Sequence, residues 1–328
     1  MWQEANRQRS FAEQAISDGN GRNARLQKID QMIDWAALER ELAEVHSKEE
    51  GRPAYRPLLL FKALLLQQWY QLSDPGLEEA LADRLSFRRF VRLGLEARVP
   101  DHSTVSRFRD CLGQGDLGKR LLAEVNRQLA EKGLVLRHGT ILDATVVEAA
   151  VKPPPDSRPG EGSRLDPDAR WRGGPNKSGG RTKPGFGYKA HVAMDQKSEL
   201  VTEAVLTPAN VNESEVADQL ISGQERWVYA DKAYDKHARR ELLARLGVGD
   251  GIMRRAPYGK AHNPPADLVA RNRALSGTRA AVERVFARMK LWYGYRRVRY
   301  RGLTRNSLQL FTMCVALNLR RAVLLSAA

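Results

Sequence analysis

Three carboxylates stand where a purely structural role explains them poorly: Asp143 in GTILDATVV, Asp231 in WVYADKAYD and Glu283 in TRAAVERVFARMK. An aspartate inside an apolar strand such as ILDAT is costly to bury without a partner. Carboxylate oxygens are the hard ligands that Mg2+ takes, a few at a time. Two such ions, about 3.5–4 Å apart, make a nucleophile at neutral pH and neutralise the leaving oxygen of a phosphodiester. Asp143, Asp231 and Glu283 therefore read as one catalytic and metal-binding set, served by two Mg2+ ions for which Mn2+ can substitute. The competing explanation for Asp143 is a salt bridge to an arginine at a sheet edge.

The elements that must position this set follow from periodicity. ILDATVV alternates as a strand, with Ile141, Asp143, Thr145 and Val147 on one face. GYKAHVAMD and ELVTEAVLT form a hairpin around DQKS, with Asp195 a turn residue. PANVNESEVADQLI begins a helix capped by Asn212, and RWVYAD is a buried parallel strand. DKHARRELLARLG is a helix with Asp235 at its cap, and GDGIMRRA is a short last strand. Helical patterns follow at 264–275, 278–292 and 303–324. This order predicts an α/β, ribonuclease-H-like catalytic domain over residues 136–328, a mixed five-stranded sheet flanked by helices. In that fold the strands of Asp143 and Asp231 are neighbours. Residues 1–135 read as an all-helical N-terminal domain, and 152–185 as a long Pro/Gly-rich loop.

Around the carboxylates the charge is one-sided. At about 100° per residue, Arg279, Glu283 and Lys290 share a helix face, beside an apolar face of Val282, Val285, Phe286 and Met289. From Arg279 to Arg305, nine residues are Arg or Lys and Glu283 is the only acid, so an ordinary solvated face is a poor description. Arg296, Arg297 and Arg299 lie there among Trp292, Tyr293, Tyr295 and Tyr300, a composition suited to a DNA backbone and unstacked bases. Lys232 adjoins Asp231. Lys189 and His191 share a strand face, with His191 either near the metals or structural. Glu148 and Glu213 are possible further carboxylates. In the helical domain, Asp101 or Ser103 caps a helix whose polar side offers Arg107 and Arg109 to DNA ends. Trp171 either stacks on a base or fills a local core.

The 328-residue chain carries a net charge of +15 and a pI near 10, which concentrates polyanions at its surface. Two separated cysteines, Cys111 and Cys314, exclude a disulfide framework or a cysteine zinc site. The polar start MWQEANRQRSFAEQ is no signal peptide, and the runs 58–66 and 310–317 are too short to span a bilayer. The expectation is a cytoplasmic, nucleoid-associated bacterial protein with no membrane partner.

At these residues the chain resembles the insertion-sequence DDE transposases of the IS4/IS5-type superfamily, and the IS5 family in particular. YRPLLLFKALLLQQWYQLSD, RLSFRRFVRLGL and VPDHSTVSRFR resemble the helical domain that precedes catalysis in these enzymes. ILDATVVEA and YADKAYD resemble the first- and second-aspartate blocks, matched by Asp143 and Asp231. The third block, an Arg, three residues, the catalytic Glu, six residues and a Lys, is matched by Arg279, Glu283 and Lys290. The chain departs from the family at Ser276, where Tyr or Arg is frequent, and at Ala233, where Gly is. The resemblance implies Mg2+-dependent cleavage at terminal inverted repeats and attack of the freed 3′-OH on target DNA. It also implies double-stranded DNA as partner, and a homodimer bridging two ends. The alternatives are a ribonuclease-H-like nuclease without strand transfer, and a non-catalytic DNA-binding repressor from a decayed element.

Overall fold

The computed structural model describes residues 23–45, 55–153, 162–172, 185–257, 259 and 263–327. Its contacts divide the chain into one unit of residues 1–128 and 311–328 and another of residues 129–310. The sequence places its single cut at 135/136, and does not foresee that residues 311–328 group with the helical unit.

The helical unit contains α1 (Ala24–Met32), α2 (Trp35–Glu41), α3 (Pro57–Tyr70), α4 (Asp74–Asp83), α5 (Leu85–Val91), α6 (His102–Gly113) and α7 (Leu117–Glu131), the last of which ends just past the division. Pro57 starts α3, where a missing N–H is harmless, and Gln71 ends it in the left-handed region at φ 53°. Side-chain oxygens of Asn23, Asp34, Ser73 and Asp101 cap α1, α2, α4 and α6. The core of α3 includes an unexpected cation. Lys62 is fully buried, lies 4.1 Å from the Trp35 ring centroid, and donates to Asp30 at 2.5 Å. Burial pushes its pKa down to about 8 against the upward pull of Asp30.

The second unit is built on β1 (Thr140–Glu148), β2 (Arg170–Trp171), β3 (Phe186–Asp195), β4 (Val201–Pro208), β5 (Trp227–Ala230) and β6 (Gly249–Ile252). β1, β3 and β4 pair antiparallel, while β5 and β6 extend the sheet in parallel from β1. The sheet has one strand more than expected. β2 is a two-residue strand drawn from the 152–185 loop onto the start of β3; residues 154–161 and 173–184 of that loop lie outside the described residues. Trp171 sits in β2 with its ring edge-on to Phe186, centroids 5.6 Å apart, so it packs locally.

Helices flank the sheet: α8 (Glu213–Val216), α9 (His237–Arg245), α10 (Ala266–Arg279) and α11 (Ala281–Trp292). On one face Leu142, Ala193, Val228 and Ala230 form a buried cluster with Ala217, Leu220, Tyr234 and Leu243. α11 packs against β1 and buries Val282, Val285, Phe286 and Met289. The last helix, α12 (Leu303–Leu325), is long and apolar enough to cross a membrane by length and composition, but 72% of its most apolar window is buried inside the protein. Three antiparallel strands, two parallel additions and flanking helices are the ribonuclease-H-like arrangement.

Candidate active site

Asp143 and Asp231 are brought together by strand register. β1 and β5 are parallel, with Ile141 opposite Tyr229. Two residues further along each chain come Asp143 and Asp231, which interact electrostatically across this step. Asp231 follows the last residue of β5 and caps a 3-10 turn, Lys232–Tyr234, accepting the Ala233 N–H at 2.6 Å. Asp143 accepts the Ala144 N–H at 2.8 Å through one oxygen and Arg279 Nη1 at 3.1 Å through the other. Its side chain is 19% exposed. Burial pushes its pKa up to about 6, and the charges of Asp231 and Glu213 add to this; the Ala144 N–H and Arg279 offset only part.

Tyr234 and Glu213 interact electrostatically with the pair. Tyr234 is buried, its hydroxyl has no hydrogen-bond partner among the described residues, and its pKa is raised by burial and by the charges of Asp143, Glu213 and Asp231. Lys189 reaches Val211 O at 2.7 Å and Glu213 Oε1 at 2.9 Å. Burial alone would raise Glu213, but the Lys189 bond and charge hold its pKa below the ordinary value. His191 lies opposite Ala144 on β1, so alternation puts it on the sheet face away from Asp143. It is fully buried and bonds Thr207 Oγ1 at 2.9 Å. Burial and Lys189 push its pKa down to about 4, which keeps the ring neutral near pH 7.

Glu283 is exposed in the first turn of α11, one turn beyond Arg279. Among the described residues no group of three or more His, Cys, Asp or Glu is close enough to hold a metal ion. The structure thus pairs the two aspartates and brings Arg279 to them, but does not gather Glu283 into one ligand set. The pair itself fits a hard cation: two carboxylates, partly buried, whose negative charge Arg279 compensates incompletely.

The other candidates divide by burial. Lys232 is exposed beside Asp231. Lys290 is half-buried, its pKa lowered by burial and by nearby Arg296. Arg296 and Arg297 are exposed on a segment bonded to the end of β1, with Glu148 N donating to Arg296 O and Arg297 Nη2 meeting Glu148 at 3.0 Å. Arg299 is partly buried. Tyr293 and Tyr295 are buried, so they serve the core and do not interleave with the arginines as base-stacking rings; Trp292 stays 47% exposed. Arg107 is exposed, but Arg109 is buried and forked onto Asp74 at 2.6 and 3.1 Å, so it cannot reach a base edge. Asp235 does not cap α9. It accepts from Arg254 Nη1 at 3.2 Å and Arg255 N at 3.0 Å.

Arg239 and Arg255 went unnoticed in the sequence, yet both fix the loop that follows Asp231. Arg239 is buried and donates to Tyr234 O and Ser214 O, both at 2.5 Å. Arg255 donates to Lys232 O and Ala233 O at 2.7 and 2.9 Å. Their surroundings, DKHARRE and IMRRA, gave no pattern that singles them out.

A ribonuclease-H-like sheet with aspartates at the same level of neighbouring parallel strands defines the class, a domain with a carboxylate-lined candidate site. Residues 136–319 match the family described as Transposase DDE domain, and residues 12–111 match the one described as Transposase domain (DUF772). The chain belongs to the DDE transposase family, whose members act on DNA and typically use divalent metal ions. Among solved structures it is similar to the piggyBac transposase synaptic complex with hairpin DNA, at 10% identity over 94% of this chain and 73% of that one, TM-score 0.42. It is also similar to a pre-cleavage Mos1 transpososome, at 16% identity over 94% of this chain and 99% of that one, TM-score 0.21. Both likenesses are distant.

Proposed function

We propose that this chain is an insertion-sequence transposase of the IS5 type. It cleaves DNA at the terminal inverted repeats of its element and joins the freed 3′-OH to target DNA. The observation that carries this reading is the level placement of Asp143 and Asp231 on neighbouring parallel strands, with Arg279 at the first of them. Asp143 and Asp231 would hold the Mg2+ ions, with Glu283 as the further ligand, and Mn2+ could replace Mg2+. When bound, the ions supply an activated oxygen nucleophile and neutralise the leaving oxygen.

The chain's own groups do the rest. Asp143 must be ionised to bind a cation, so its raised pKa makes proton and metal competitors. Arg279 offsets part of the Asp143 charge and lies next to the phosphate being cut. Lys232, Lys290, Arg296, Arg297 and Arg299 hold the DNA backbone, and Arg107 reads the terminal repeat. Two copies bridge the two ends, and the protein works at the bacterial nucleoid. The test is incubation of purified protein, with and without Mg2+, with DNA carrying the element's flanking repeats. Nicks at the repeat ends and joined products support the reading, whereas nicks without joining reduce it to a nuclease.

A further inference from the structure

Tyr234 has its ring in the core and its hydroxyl among carboxylates. The ring belongs to the buried cluster that includes Leu142 and Ala230, the residues just before Asp143 and Asp231. Tyr234 ends the 3-10 turn that Asp231 caps, and α8, whose first residue is Glu213, packs against that turn. The hydroxyl is buried and feels the charges of Asp143, Glu213 and Asp231, yet no described group accepts its proton.

A buried O–H left without a partner costs free energy, and native proteins seldom keep one without a reason. Tyr188, on β3 of the same sheet, shows the ordinary solution. It too is fully buried, and it donates to the Asp166 carboxylate at 2.5 Å. Tyr234 has no such freedom, because its turn is locked from two sides. Arg239 donates to Tyr234 O and Ser214 O, and Arg255 donates to Lys232 O and Ala233 O. The carboxylates are engaged as well: Asp143 by the Ala144 N–H and Arg279, Asp231 by the Ala233 N–H, and Glu213 by Lys189. The hydroxyl is thus fixed near enough to three carboxylates to feel their charge and too far from each for a direct hydrogen bond.

That spacing suits water in the shell of a cation. Mg2+ held by one or two carboxylates keeps several of its waters, and groups around the site orient them. Among the described residues no third His, Cys, Asp or Glu joins the two aspartates, so water makes up most of the shell of an ion there. A tyrosine hydroxyl accepts one hydrogen bond and donates another, which lets it take a proton from such a water and pass its own toward a carboxylate.

We propose that Tyr234 is a positioning residue for the cation at Asp143 and Asp231: its hydroxyl bonds a water that the ion retains. It acts through that water and touches neither the ion nor DNA. This rests on the reading of the two aspartates as metal ligands.

The experiment compares the full chain with Tyr234→Phe, which removes one oxygen, and with Tyr188→Phe as the control. Mn2+ binding is measured by calorimetry on DNA-free protein, and exchange of water on the bound Mn2+ by proton relaxation. Stability is read from urea melts in metal-free buffer, and cleavage on end DNA. Tyr234→Phe is expected to bind Mn2+ about 10–100-fold more weakly and to cleave more slowly in proportion, the range for residues that orient metal ligands. Water on its bound Mn2+ exchanges faster. Its metal-free melt stays where it is or moves to higher urea, since no bond is lost. Tyr188→Phe should do the reverse, melting at lower urea and binding Mn2+ as the wild type does. Wild-type Mn2+ affinity in Tyr234→Phe overturns the proposal. So does a Tyr234→Phe melt lowered as far as that of Tyr188→Phe, which would make the hydroxyl a structural group. Failure of the underlying reading looks different: Asp143→Asn and Asp231→Asn would then bind Mn2+ as the wild type does. Lost binding in those two, with wild-type binding in Tyr234→Phe, strikes the role of Tyr234 alone.

Discussion

Arg279 reaches across from the end of α10 to donate to Asp143 at 3.1 Å, and the Asp143 pKa still lies near 6, above its ordinary 3.8. One guanidinium does not repay the burial of this carboxylate. Because the folded pKa is raised above the unfolded one, the protein binds more protons folded than unfolded between about pH 4 and 6. Stability therefore falls as pH rises through that window, and the cost is fully present above pH 6.

Asp143→Asn removes that cost. In metal-free buffer at pH 8 it should stabilise the chain by about 1–3 kcal/mol, the value of a shift of this size discounted for the new amide. At pH 4 the gain should vanish. Urea melts at the two pH values check it, and an equal effect at both would contradict the assignment of the shift.

The same shift governs metal affinity. Mn2+ must displace the Asp143 proton below pH 6, so affinity should fall about tenfold per pH unit there and level off above pH 7. Calorimetric titration between pH 5 and 8 reads this directly. A flat profile across pH 5–6 would mean that Asp143 is no ligand.

Arg107 and Arg109 have parted company. Arg109 is buried against Asp74, so Arg109→Ala should cost about 1–3 kcal/mol by removing the charged partner of a carboxylate that keeps its bond from Gln67. Exposed Arg107→Ala should leave stability unchanged and lower the preference for terminal repeats over random DNA by about 1–3 kcal/mol. Thermal melts and competition binding separate the two. Equal loss of affinity for both DNAs would make Arg107 a phosphate contact.

Neutralising Arg296, Arg297 and Arg299 together should flatten the dependence of log affinity on log salt, weakening all sequences alike. The Arg297 contact to Glu148 offers little resistance, since both side chains are more than 60% exposed. An unchanged slope would place the DNA elsewhere.

Much of the catalytic unit was legible because its strands are short, alternating and separated by turns. The alternation of ILDATVV and GYKAHVAMD predicted β1 and β3, and Asp195 and Asn212 fell where their side chains bond the backbone. The placement of Asp143 beside Asp231 followed from fold order alone. Long-range ion pairs were not legible. Arg109 with Asp74 and Glu199 with Arg284 and Arg288 depend on which side chains meet after folding, and no period in the sequence encodes that. Tyr293 and Tyr295 misled for a related reason. Rings between arginines look exposed in sequence, but Tyr293 ends α11 and Tyr295 bonds back to Met289 O through its N–H, and both rings are buried there.

The central claim is that Asp143, Asp231 and Glu283 work as one metal-dependent unit, and strand cleavage by isosteric variants tests it most directly. Asp143→Asn, Asp231→Asn and Glu283→Gln each remove a ligand charge and little volume. Each is predicted to lower Mg2+-dependent cleavage of end DNA by orders of magnitude while binding the same DNA as the wild type does. Near wild-type cleavage by the Asp143 or Asp231 variant would contradict the account.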